Sequence, residues 1–161
     1  MLDLLANAVL AGLLLGGFYA AVTIGLSIAF GFLDIVNIAH PGFVLIGAFT
    51  AWLLNASWGI DPILAGLLLS PLFFLGGAAI FRIYPVSFER RGEAGLRGLA
   101  FFFGVLFLSE VALILLFGVD YRSVSLPYLE TMIGIGPVAV PLRLVVPFAV
   151  SLVMFAVLQV A

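Results

Sequence analysis

Three polar side chains recur at a spacing of three in the segment GFLDIVNIAHPGF: Asp34, Asn37 and His40. A fourth polar group, Glu110, stands alone in a later apolar run. A carboxylate and an imidazole on one helical turn could pass a proton to or from a bound molecule. An amide beside them could donate to and accept from a polar solute. Metal binding is not expected, because one histidine supplies too few ligands unless Asp34, Glu110 or another acid converges on it. The chain has no phosphate-binding GxxxxGK[ST] loop and no evident Ser-His-Asp set. The spacing of three puts Asp34, Asn37 and His40 near one face of a helical turn. Ile35, Val36, Ile38 and Ala39 lie between them, more apolar residues than a plain solvated turn needs.

The surroundings of these residues are set by composition. In 161 residues, 65% are hydrophobic, 9% are charged and the mean hydropathy is +1.38, values that place the chain in a bilayer. At about 20 residues per crossing plus short loops, this length holds about five spans in a single membrane domain, 1–161. A net charge of -2 gives no reason to expect nucleic acid as a partner. The absence of cysteine excludes disulfides and thiolate metal sites. The N-terminus, Met1-Leu2-Asp3, lacks the basic start of a secretory signal and reads as the beginning of the first helix.

Five apolar runs follow: Leu4 to Phe30, Pro41 to Ser57, Pro62 to Phe81, Gly98 to Gly118, and Val138 onward. Trp58 suits a membrane interface, and Pro62 suits the first turn of the third helix. Arg82 to Arg97 reads as a polar loop, and Val119 to Pro137 as a longer connection rich in Gly, Pro and Ser. Arg82, Arg90, Arg91 and Arg97 outweigh Arg122 and Arg143 on the opposite side, so the Arg82–Arg97 loop is expected in the cytoplasm and the N-terminus outside. The segment from Asp34 to Gly42 then lies at the cytoplasmic side. It is either a turn whose polar groups meet water or a break in a helix that lines a path, since irregular backbone at membrane depth needs cover from protein or a water-filled cavity.

The first span carries a GxxxG at Gly12 and Gly16, and Gly17, Ala21, Gly25 and Ala29 continue a small residue at every fourth position. Such a ridge admits another helix at close range. Tyr19, Thr23 and Ser27 form an adjoining stripe that could bond across helices or face a solute. Glu110, an acid inside a span, is a candidate for a bundle interior or a cavity.

Taken together, Gly12, Gly16, Tyr19-Ala20, Gly25-Leu26, Phe30-Gly31, Asn37, Ala39-His40, Gly42 and Gly47 resemble the opening of the inner-membrane permeases of bacterial ABC importers for branched-chain amino acids. The run RGLAFFFGVLFLSEVALILLFGVDYRSV is similar to a later helix of that family and its Phe-Gly-x-Asp-x-Arg-Ser ending. Ile38 stands where the family usually has Phe, and Pro41 separates His40 from Gly42. The resemblance implies an all-α polytopic bundle, the N-terminal half of such a permease, in the bacterial inner membrane. It implies transport of a branched-chain amino acid or a similar small polar solute, without enzymatic chemistry or a cofactor in this chain. ATP would be bound by separate cytoplasmic ATPase subunits. A second permease subunit and a periplasmic solute-binding protein would complete the assembly. Candidate path residues are Tyr19, Asn37, His40, Gly42 and Glu110; candidate packing residues are Gly12, Gly16, Gly17, Ala21 and Gly25. The alternative from a different class is a membrane-embedded enzyme using His40 and Asp34 at the cytoplasmic face.

Overall fold

The computed structural model describes residues 1–33, 37–88, 94–135 and 138–160. Among these described residues, five helices are long and apolar enough to cross a membrane: α1 (Leu2–Leu33), α2 (His40–Trp58), α3 (Pro62–Phe88), α4 (Ala94–Phe117) and α5 (Leu142–Val160). The chain is an all-α polytopic membrane protein, with one two-stranded hairpin as its extended element among the described residues. It divides into two compact units, one formed by Met1–Ile28 with Ser125–Ala161 and the other by Ala29–Val124.

In the first unit, α1 continues without a break because nothing between Leu4 and Phe30 opposes it: there is no proline and no charge. At ~1.5 Å per residue its 32 residues reach about 48 Å, well beyond a hydrocarbon core of about 30 Å. Its hydroxyls are spent inside the helix. Thr23 Oγ1 donates to the carbonyls of Tyr19 and Ala20 at 3.0 Å each, and Ser27 Oγ donates to the Thr23 carbonyl at 3.0 Å. Back-bonding of this kind lets a hydroxyl sit in an apolar phase without a partner helix.

The connection before α5 is more ordered than its composition suggests. A 3-10 turn at Pro127–Glu130 leads into β1 (Met132–Ile135), which pairs antiparallel with β2 (Val138–Pro141), Met132 opposite Pro141 and Ile135 opposite Val138. Helix α5 therefore starts at Leu142, not at Val138. Alternating Ile133, Ile135, Val138 and Val140 favour strand over helix, and Val140 is buried. The hairpin is tied down at both ends: the Ala139 amide donates to Asn7 Oδ1 of α1 at 3.1 Å, and the Leu142 amide donates to the Thr131 carbonyl at 2.9 Å.

In the second unit, α2, α3 and α4 pack on one another. The turn between α2 and α3 forms as its residues dictate. Gly59 takes a left-handed φ of 66° that closes α2, its amide donating to the Asn55 carbonyl at 2.9 Å. Asp61 Oδ1 accepts from the Ile63 amide at 2.8 Å, capping α3 ahead of Pro62. Beyond Phe81 the helix does not give way to a loop. It runs on to Phe88, and α4 begins at Ala94, so Arg82 and Arg97 lie in helical turns. Tyr84 supplies the reason: it is buried, its ring lies 5.8 Å from Phe101 and 5.6 Å from Phe102, and a Cβ at Gly98 would come within 2.7 Å of its hydroxyl. Packing against α4 holds the extra turns of α3 in place. Ala39, Tyr84 and Phe102 form the buried core of this unit, flanked by Ile38, Phe43, Ile80, Val105 and Leu106.

Candidate functional site

The site is built at the start of α2. Asn37 folds back on its own chain: its Oδ1 accepts from the Ala39 amide at 3.1 Å, and its carbonyl accepts from the His40 amide at 3.4 Å. This is the local turn that an asparagine side chain favours, and it launches α2 with Pro41 in the first turn, where a missing N–H costs nothing. Ala39 is buried beneath the turn, and Asn37 and His40 are half-buried. Asp34 lies outside the described residues.

Asn37 also lines two adjoining cavities, of about 370 Å³ and about 750 Å³, which share Phe43, Gly77 and Ile80. Together they form a groove along α2 and α3. Phe73, Phe74, Ile46 and Phe102 complete its walls, and Asn37 is the polar lining residue in both parts. Gly76 and Gly77 keep the α3 side open, since a Cβ at either would meet nothing within 4 Å. With Oδ1 engaged by the backbone, the amide nitrogen is the donor a solute in this groove would meet. An apolar wall with one amide at its edge can take a molecule that is greasy on one side and carries a hydrogen-bond acceptor on the other.

The other expected residues fall in different places. Gly42 is buried in the α2–α4 seam, where an added Cβ would lie 3.0 Å from Leu106 Cδ1 and 3.4 Å from Ser109 Cβ. Ser109 Oγ is satisfied by the Val105 carbonyl at 2.7 Å. Glu110, next along α4, is exposed and lines a separate cavity of about 200 Å³ with Leu45, Phe49, Leu113, Ile114 and Gly118. That lining shares no residue with the Asn37 groove. Tyr19 belongs to the first unit, where it is exposed with its ring 5.8 Å from Phe18. Of the five path candidates, the structure brings Asn37, His40 and Gly42 into one turn of chain.

Among the packing candidates, Gly17 is the one under pressure: a Cβ there would collide with the Phe148 ring of α5. Ala21 is half-buried, while Gly12 and Gly16 have nothing within 4 Å of a built Cβ and Gly25 is exposed. Sequence reasoning did not single out Tyr84 or the cluster at the far end of α2 and α4. There Phe117 stacks on Phe49 at 4.9 Å and meets Trp52 edge-on at 6.1 Å. Arg122 closes the cluster, its guanidinium 5.1 Å from the Trp52 ring centre and its Nη2 donating to the Phe117 carbonyl at 3.3 Å. The available signal was an arginine shortly after a helix end, with aromatic residues near the end of its neighbour.

Over 79 residues, 49% of this chain, the sequence is 32% identical to the high-affinity branched-chain amino acid transport system permease protein LivH of Escherichia coli K12. LivH of Escherichia coli O157:H7 matches over the same length at the same identity. The match spans 26% of each of those proteins. No protein-family profile and no solved structure matches the chain. The chain is thus similar, across about half of its length, to part of a transport permease.

Proposed function

We propose that the chain is a membrane permease subunit of an ABC importer. It contributes part of the path for branched-chain amino acids or a similar small polar solute, and a separate ATPase supplies the energy. The observation that carries the reading is the placement of Asn37. The turn that opens α2 holds an amide at the edge of an otherwise apolar groove, and a polar group at a helix end beside a groove is one that a solute on its path can meet. The similarity to LivH supports the same reading. The partners proposed with it are a second permease subunit, cytoplasmic ATPase subunits and a periplasmic solute-binding protein. The membrane is proposed to be the bacterial inner membrane.

The test is co-purification with candidate ATPase and permease partners, followed by ATP hydrolysis in liposomes with and without solute and binding protein. Solute-stimulated hydrolysis is the expected result; an assembly that forms but ignores every small polar solute offered would count against the reading. The proposed orientation puts the α3–α4 end in the cytoplasm and the hairpin outside. A reporter fused near Glu93 should then read cytoplasmic and one near Ser123 exterior.

A further inference from the structure

Toward the end of α2 that lies away from Asn37, the second unit holds a pocket of about 230 Å³. Leu45, Ala48, Phe49 and Trp52 of α2 form its apolar wall, and Asp120 and Arg122, just past the end of α4, bring opposite charges to it. Every lining residue belongs to the Ala29–Val124 unit. Closing α4 does not account for this arrangement. Gly118 already ends the helix, with a left-handed φ of 77° and its amide donating to the Ile114 carbonyl at 2.8 Å. Arg122 gives one N–H to the Phe117 carbonyl and rests against the Trp52 ring, so most of its five donors stay uncommitted. Asp120, two residues earlier, has neither a hydrogen bond nor an ion pair among the described residues. Two opposite charges therefore line one small pocket without neutralising each other.

We infer that this pocket binds a small zwitterion with an apolar side group, its carboxylate on Arg122, its ammonium on Asp120 and its apolar part against Leu45, Ala48 and Phe49. The two charges select the ligand. A plain carboxylate would lie beside Asp120 with nothing to offer it, and a plain amine would set its charge beside Arg122; a zwitterion answers both. Arginine takes a carboxylate through paired N–H bonds, and the Trp52 ring holds the guanidinium in place beforehand, which lowers the cost of ordering it. The volume, below the roughly 300–1,000 Å³ of pockets for drug-sized ligands, keeps the ligand small. Trp52 lies about 18 Å along α2 from His40, so this site is distinct from the Asn37 groove. As a station on a solute's way to Asn37 the pocket rests on the permease reading; as a binding site it does not.

The chain has two tryptophans, and Trp58→Phe leaves Trp52 as a single reporter in the pocket wall. That chain, in lipid nanodiscs, is titrated with L-leucine, leucinamide, which lacks the carboxylate, and N-acetyl-leucine, which lacks the ammonium. Dissociation constants are read from Trp52 fluorescence and, for variants that alter the reporter's surroundings, from isothermal titration calorimetry. Leucine should bind saturably, and each blocked form about tenfold more weakly, the scale of one lost charge-assisted contact. Arg122→Gln should weaken leucine and N-acetyl-leucine and leave leucinamide unchanged. Asp120→Asn should weaken leucine and leucinamide and leave N-acetyl-leucine unchanged. No saturable response, leucinamide as tight as leucine, or an equal loss for all three ligands in a folded variant would overturn the proposal. Should Arg122→Gln fail to fold, the leucinamide comparison and Asp120→Asn decide it. No ATPase or uptake enters this assay, so its failure leaves the Asn37 reading standing, and lost transport with this binding intact would fall on the permease reading instead.

Discussion

Two glycine-bearing helices look alike in sequence and behave differently in the fold. In α1, small residues repeat over many turns, yet Gly12 and Gly16 face open space while Gly17 meets a neighbour, the Phe148 ring of α5. In α2, Gly42 belongs to no ridge, yet it is buried against Leu106 and Ser109 of α4. The difference teaches that spacing marks where a helix could be approached. Which approach happens is decided by the bulk on the other side.

The largest effect should come from filling the buried position. Gly42→Leu forces a branched side chain into the α2–α4 seam, and overpacking of this kind costs typically ~1–3 kcal/mol. Its expected readout is a clear fall in thermal stability in detergent, together with loss of the turn that positions Asn37. Gly42→Ala should be far milder, since the nearest atom is the movable end of Leu106.

Gly17→Leu should come next, through collision with Phe148, and Phe148→Ala in the same chain should recover much of the loss. Failure of that rescue would mean that α1 and α5 are not held by this contact. The smallest effect is expected at Gly12→Ala, which should leave the isolated chain unchanged or stabilise it by up to about 1 kcal/mol through helix propensity. If Gly12→Ala is silent in the isolated chain but harmful in the assembly, the ridge is used by a partner and the comparison sharpens; harm in both would break it.

The same contrast explains what could be read in the residues. The five spans were legible because hydropathy alone specifies them, and the Trp58–Pro62 turn because Gly59, Asp61 and Pro62 each dictate their own backbone. The end of α3 was not, because Tyr84 extends it by packing on Phe101 and Phe102, residues distant in sequence. The hairpin was missed because its two strands are only four residues each and sit in a stretch rich in glycine and proline. At the site, the polar spacing drew attention to Asn37 and His40. It could not reveal that Asn37 lines an apolar groove against α3, that Gly42 serves the α4 seam, or that Glu110 lines a different cavity beside α2, since all three depend on how helices meet.

The central claim is that Asn37 lies on the path of a transported solute, and the most direct measurement is solute uptake by the reconstituted assembly carrying Asn37→Leu. Removing one hydrogen-bonding group from a confined site costs about 0.5–1.5 kcal/mol, roughly a twofold to tenfold loss of uptake. His40→Gln, which keeps donor and acceptor capacity, should lose less. Membrane insertion and association with the ATPase should be unchanged in both. Uptake by Asn37→Leu at the parent rate, in an assembly that still couples ATP hydrolysis to solute, would contradict the account and leave the turn as a helix start alone.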